Sequence, residues 1–383
     1  MLPLEGITVL DLSRLLPAPL ATLFMAQMGA RVIKIEDPSG GDYIRWTPPL
    51  TGKYSSFFYI LNRGKESLTL NLKKEEGREI FKKLVEKADV LVESFRPGVM
   101  DSLDLGYETL SEINPSLIYA AVTGYGYGET PYLKRAGHDL NYVSINGIAS
   151  LNGTRETGPL HLGIQVADIG GGAYMTLISV LAALIERSTT GRGKFLDISM
   201  THGSIPFTVM GFAEFIASGK SPGPEGYTLN GLYPCYRIYR AKDGYVSLAA
   251  LEPKFWQNFC RAVGREDLLD KAFATGKEGE KVREELEKIF KSKTVEEWEK
   301  LNEEYDFCCE AVNDFENLLK SPLIRENEVI GKDENGRGFL KFPVRNLRKD
   351  EIGEAPDIGR DTEKILKELG LDELESLKKK GVI

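Results

Sequence analysis

Three short segments hold residues whose types and settings suit proton chemistry. In residues 136–142 (AGHDLNY), His138 stands where a loop enters a helix. Amide N–H groups exposed at a helix start disfavour an imidazolium, so they keep such a ring neutral and available as a base. A purely structural histidine fits the same place; His161 and His202 have no comparable setting. In residues 166–172 (VADIGGG), Asp168 comes directly before an expected helix, which reads as an N-cap. Three glycines in succession weaken a helix start by roughly 1 kcal/mol each relative to alanine, so close approach of a ligand or of another backbone is the competing reading. Amides at such a start also suit a developing oxyanion. Glu252, in residues 251–253 (LEP), marks a strand-to-helix junction with Pro253 at the first helical position, where alone it would serve the helix dipole. Their joint occurrence points to general acid–base catalysis, which draws on imidazole and carboxyl groups.

The elements that must position these residues alternate in type. Residues 6–11 (GITVLD) form a strand pattern, residues 17–28 a helix opened by proline, and residues 31–36 (RVIKIE) a second strand. A second such unit follows: strand 67–72 (SLTLNL), helix 74–87 with Ile80, Phe81, Leu84 and Val85 on one face, and strand 89–93 (DVLVE). Residues 116–122 (SLIYAAV) add another strand. This order predicts an α/β fold with a largely parallel sheet covered on both faces. Residues 138–200 read as mainly helical, with the strongest apolar helix at 174–187 and a closing strand at 194–199 (KFLDIS). Glycine, proline and serine in residues 217–227 read as a linker. Beyond it, strands 233–239 and 245–249 and charged helices from 253 to about 319 predict a smaller α+β domain, and an amphipathic helix at 360–369 is expected to dock back on the large one. The expected division is a large domain over 1–216, a linker over 217–229, a small domain over 230–321, and a C-terminal segment over 322–383.

Composition narrows the function. The chain has 383 residues, 42% of them hydrophobic, enough for more than one core. Its net charge of −8 argues against a nucleic-acid partner, which needs a basic stripe. No run approaches the roughly 18 apolar residues of a membrane span, and the N-terminus lacks a signal-peptide layout, so a cytoplasmic protein with no membrane partner is expected. Cys235, Cys260, Cys308 and Cys309 show no CxxC spacing, so neither a disulfide framework nor a metal site is expected. The turn at residues 12–19 (LSRLLPAP) has no GxGxxG, which argues against a nicotinamide dehydrogenase.

The motifs VIKIE, VESFRPGVM, GHDLNY, VADIGGG, GRGKFLDISM, ALEPKFW and PDIGRDTEKIL, in that order, span nearly the whole chain. Together they resemble the family III CoA transferases (CaiB/BaiF), specifically the α-methylacyl-CoA racemase branch. The resemblance implies an interlocked homodimer of Rossmann-like large domains and small domains, with each active site shared between chains. It further implies that His138 and Asp168 are the acid/base pair, that Glu252 orients His138, and that Gly137, Asp139 and Tyr142 lie beside the CoA arm. Leu70, Asn71, Leu72, Lys73, Phe95, Arg96 and Gly98 match stretches that hold CoA, with Lys73 and Arg96 as counter-charges to its phosphates. No cofactor is implied beyond the CoA moiety of the acyl-CoA substrate. The chain departs from the pattern twice. Ile164 stands where the racemases carry an asparagine supporting the aspartate, with Gln165 next to it as a substitute. Asp37 stands where a basic residue is expected after VIKIE, with Lys34 or Arg45 as compensating cations.

The implied reaction inverts an α-carbon: a base acts on one face, an acid on the other, and a planar enolate lies between. A CoA transferase is the alternative, with Asp168 as the nucleophile that becomes a thioester. A CoA-binding protein without turnover is a third reading.

Overall fold

A computed structural model describes residues 1–383. Six strands form the main sheet: β1 (Thr8–Leu12), β2 (Arg31–Glu36), β3 (Glu66–Thr69), β4 (Val90–Glu93), β5 (Ile118–Thr123) and β6 (Phe195–Ser199). All pairings are parallel, in the order β6-β5-β4-β1-β2-β3. Almost every residue of β1, β2, β4 and β5 is buried, as a parallel sheet covered on both faces requires. The chain builds outward from β1 through β2 to β3, then returns to place β4 on the other side of β1. Sheets of this kind open a ligand crevice outside the carboxyl ends of the two strands at that reversal, here β1 and β4.

Helix α1 (Pro17–Gln27) is buried along its whole length. Helix α2 (Glu75–Val85) is amphipathic and buries Ile80, Phe81, Leu84 and Val85, as its spacing predicts. Helix α3 (Asp139–Ile145) starts immediately after His138. The apolar helix predicted at 174–187 is longer: a π-helical opening, Ala167–Tyr174, runs without a break into Met175–Thr190, and the two together are α4. The joined helix is long and apolar enough to cross a membrane by length and composition, a property hidden when its two halves are read separately. Short helix α5 (Met200–Ser204) follows β6.

The chain divides into two compact units, residues 1–146, 164–205 and 321–383 in one and residues 147–163 and 206–320 in the other. Residues 147–163 and 206–216, read from sequence as part of the large domain, thus belong to the smaller unit. Hydrogen bonds explain the assignment of the first segment: Asn230 Nδ2 donates to the Leu151 carbonyl at 3.3 Å, and Arg155 Nη2 to that of Glu225 at 3.0 Å. The smaller unit contains helix α6 (Val209–Ser218), antiparallel strands β7 (Tyr236–Arg240) and β8 (Tyr245–Ala249), and helices α7 (Pro253–Ala262), α8 (Gly276–Lys291) and α9 (Val295–Tyr305). A three-residue strand β9 (Cys309–Ala311) completes its sheet on β8. Trp256, Phe259, Phe290 and Trp298 centre its core, and each indole N–H donates to a backbone carbonyl at 2.9 Å.

The C-terminal helix α10 (Thr362–Glu368) buries Ile365 and Leu366 in the same apolar cluster as Leu68, Phe81 and Leu84 of the large unit. Its approach covers the open edge of β3. Ser67 N donates to the Asp361 carboxylate, Asp361 N to the Ser67 carbonyl, both at 2.9 Å, and Thr69 N to Thr362 Oγ1 at 3.0 Å. A bare edge strand would offer those groups to another chain.

Candidate active site

At the carboxyl end of β1, the turn 13–15 is held by buried ion pairs. Asp11 accepts from Ser13 N at 2.9 Å, from Thr22 Oγ1 at 2.7 Å and from Lys65 Nζ at 3.0 Å. Lys34 Nζ donates to the Ser13 carbonyl at 2.9 Å and to Asp42 at 3.1 Å. Arg45 pairs with Glu36 at 2.6 Å and lies over the Phe58 ring, 3.7 Å from its centroid. All these charged side chains are buried and mutually paired. Burial alone would push Asp11 up, but the Lys65 and Lys34 ammoniums and its hydroxyl donors outweigh it and hold the carboxyl down at about 2. The turn they fix contains Leu15, a non-glycine residue with φ of 63°. Lys34 and Arg45 are therefore committed to structure, and the compensating role expected of them is corrected.

At the end of β4, Glu93 is buried and accepts from Phe95 N at 2.6 Å and from the Tyr127 hydroxyl at 3.3 Å. Burial raises its carboxyl to about 7. It thereby fixes the turn that presents Phe95 and Arg96, whose neighbour Gly98 adopts a φ of 88° and opens the short helix Val99–Ser102.

Two cavities open at this crevice. One, of about 410 Å³, is bordered by Phe95, Arg96, Gly137, His138, Tyr142 and Asp168, so six of the expected residues meet there. The other, of about 190 Å³, is bordered by Leu70, Leu72, Lys73 and Asp37. Arg14 and Phe95 border both. Arg14, in the turn after the first strand, was not among the expected residues.

His138 is the residue preceding α3, and its N–H donates to Asn141 Oδ1 at 3.0 Å while its carbonyl accepts from Asn141 N at 2.8 Å. Tyr142, one turn on, donates its hydroxyl to the Gly137 carbonyl at 2.6 Å. A Cβ on Gly124 or Gly137 would come within 2.6 Å of the Tyr142 ring, which explains the glycine before the histidine. Asp139 turns its carboxylate to the start of α4, where Oδ1 accepts from Ala167 N at 2.7 Å and Asp168 N at 3.0 Å.

Asp168 is not an N-cap. It is the second residue of the π-helical turn, with Val166 preceding the helix. Its carboxyl is raised to about 7, chiefly by burial and secondarily by the Asp139 charge. The glycines after it serve backbone packing: a Cβ on Gly171 would collide with the Met200 carbonyl, and one on Gly172 with Pro17 at 2.7 Å. Gln165 is exposed, and its carbonyl accepts from Ile169 N at 3.0 Å as the helix begins.

Other expected residues lie elsewhere. Asn71 is spent on the C-terminus, its N–H donating to the Val382 carbonyl at 2.8 Å and its Nδ2 to that of Gly381 at 3.2 Å. Glu252 belongs to the smaller unit, where it is exposed and opens α7 ahead of Pro253.

A doubly wound α/β unit with a histidine and an aspartate bordering one cavity in the crevice at its strand reversal has the form of a class of small-molecule enzymes. Within that class this chain belongs to CoA-transferase family III, whose defining pattern matches residues 4–362. It is 31% identical to human succinyl-CoA:glutarate CoA-transferase over 96% of this chain and 86% of the relative. It is also 31% identical to human α-methylacyl-CoA racemase, over 96% and 93%. The fold matches the crystal structure of a CAIB/BAIF family protein from Brucella suis with a TM-score of 0.83, 29% identity, and coverage of 96% and 99%.

Proposed function

We propose that the chain racemises 2-methylacyl-CoA thioesters by moving the α-proton between His138 and Asp168 through an enolate. The observation that carries this reading is that both residues border one cavity. Its neighbour, joined to it through Arg14 and Phe95, is suited to the remote end of CoA. A carboxyl at about 7 is divided between acid and base near neutrality, which suits a group that must donate to one enantiomer and accept from the other. Glu252 would act from a second copy of the chain to orient His138. The open apolar face of α6, with Val209, Phe212 and Ile216 exposed, is the kind of surface such a copy covers.

The transferase reading has specific support in the exposed Gln165, which leaves the Asp168 carboxyl without the side-chain support expected in the racemases. In that reaction the ionised Asp168 attacks the thioester carbonyl and expels CoA thiolate, leaving a mixed anhydride. The thiolate then attacks the aspartyl carbonyl of that anhydride and releases the donor carboxylate. The racemase is preferred because a transferase needs Asp168 but not His138 in the same cavity.

The test is α-proton exchange of a 2-methylacyl-CoA in deuterated water with no acyl acceptor. Racemisation predicts deuterium at the α-carbon, lost in His138→Ala. No exchange, together with a trappable CoA thioester on Asp168, would establish transfer instead.

A further inference from the structure

We infer that Asp139 is the positioning residue that joins the two reacting side chains, capping the start of α4 from the position next to His138 and setting the charge state of Asp168 from there. The inference rests on the reading of His138 and Asp168 as the reacting pair and adds to it the group that fixes their relation. A helix start leaves backbone N–H groups without partners. Val166, the residue before α4, makes no side-chain cap. Asp139 Oδ1 supplies the missing acceptor from 28 and 29 positions away, taking Ala167 N at 2.7 Å and the N–H of Asp168 itself at 3.0 Å. Asp139 follows His138 directly, as the first residue of α3. One carboxylate therefore ties the backbone beside His138 to the backbone of Asp168, and the two segments cannot separate without breaking both hydrogen bonds.

The same carboxylate bears on the proton that Asp168 must carry and release. Burial raises Asp168 most, and the Asp139 charge raises it further. The other elements packed on the start of α4 bring little charge to it. Helix α1 has no titratable residue, and α5 has only His202, which is exposed and does not border the cavity. In β6, Asp197 is occupied in accepting from Tyr127 N at 3.0 Å. In α3, Tyr142 spends its hydroxyl on the Gly137 carbonyl, and burial followed by the Asp168 charge keeps that hydroxyl protonated. Arg14, Arg96 and Arg135 border the cavity with His138, but the charge that acts on Asp168 is that of Asp139. Position and proton affinity are thus set by one side chain.

The experiment titrates Asp168 directly. Protein labelled with carbon-13 at the aspartate carboxyl is followed by NMR across pH, and the Asp168 signal is identified by its absence from Asp168→Asn. Asp139→Asn keeps an acceptor for both amides and removes the charge, so Asp168 is expected to titrate below the wild-type value of about 7. Exchange of the α-proton of a 2-methylacyl-CoA then reads the geometry. Asp139→Ala is expected to lower kcat on the order of tenfold to a hundredfold, as misplaced reacting groups do, with KM changed far less. Asp139→Asn is expected to recover most of that loss, with its pH profile displaced to lower pH. An unchanged Asp168 titration in Asp139→Asn, or a wild-type kcat in Asp139→Ala, would overturn the inference. A wild-type protein in which Asp139 governs the titration but no α-proton exchanges would instead overturn the proposed function.

Discussion

The surroundings of Asp168 work against its charge, and the consequence reaches stability as well as catalysis. Its carboxyl is raised from 3.8 to about 7 by burial, with Asp139 adding repulsion. Between about pH 4 and 7 the folded protein holds a proton there that the unfolded chain has released. This group's contribution to stability is therefore greatest at or below pH 4, falls as pH rises through that window, and stays low above 7. Asp168→Asn removes the penalty. Denaturant unfolding is expected to show the variant more stable than wild type by about 1–3 kcal/mol at pH 8, with the difference shrinking toward pH 5. A constant difference across that range would mean that the carboxyl titrates normally. His138 and Asp168 were legible in sequence because each sits at an element boundary beside glycines. Arg14 was not, because its turn was read for missing glycines rather than for charge. The loss of Lys34, Arg45 and Asn71 to structural partners depends on contacts between residues up to 311 positions apart, which no local pattern records.

The strands and amphipathic helices follow from alternation and helical spacing, and β2 falls at residues 31–36 as read. Several elements escaped that reading, two of them for plain physical reasons. β9 is too short, at three residues, to show a period. The π-helical start of α4 is packed closely on α5, which is visible only once Gly171 is seen against the Met200 carbonyl and Gly203 against Gly171. That crowding makes a prediction about the element as a whole. Gly171→Ala would add intrinsic helix propensity yet force α4 from α5, and overpacking of this kind costs about 1–3 kcal/mol. Denaturant unfolding should show the loss, whereas Gly40→Ala, in open space, should leave stability nearly unchanged. A stabilised Gly171→Ala would show that the glycines answer to a ligand rather than to α5.

At the scale of the whole molecule, His138 and Asp168 belong to one compact unit and Glu252 to the other. If Glu252 serves the His138 of a second copy, the two defects His138→Ala and Glu252→Ala can be separated between chains. Each homogeneous variant then carries one defect in every site. A mixed dimer concentrates both defects in one site and leaves the other with an intact His138, Asp168 and Glu252. Co-expressing the variants with different affinity tags and isolating the doubly tagged species should restore α-proton exchange to about half the wild-type rate per dimer, since one of two sites is whole. A site built within a single chain would give a mixed species no more active than its parents. The result thus tells a shared site from a private one by rate alone.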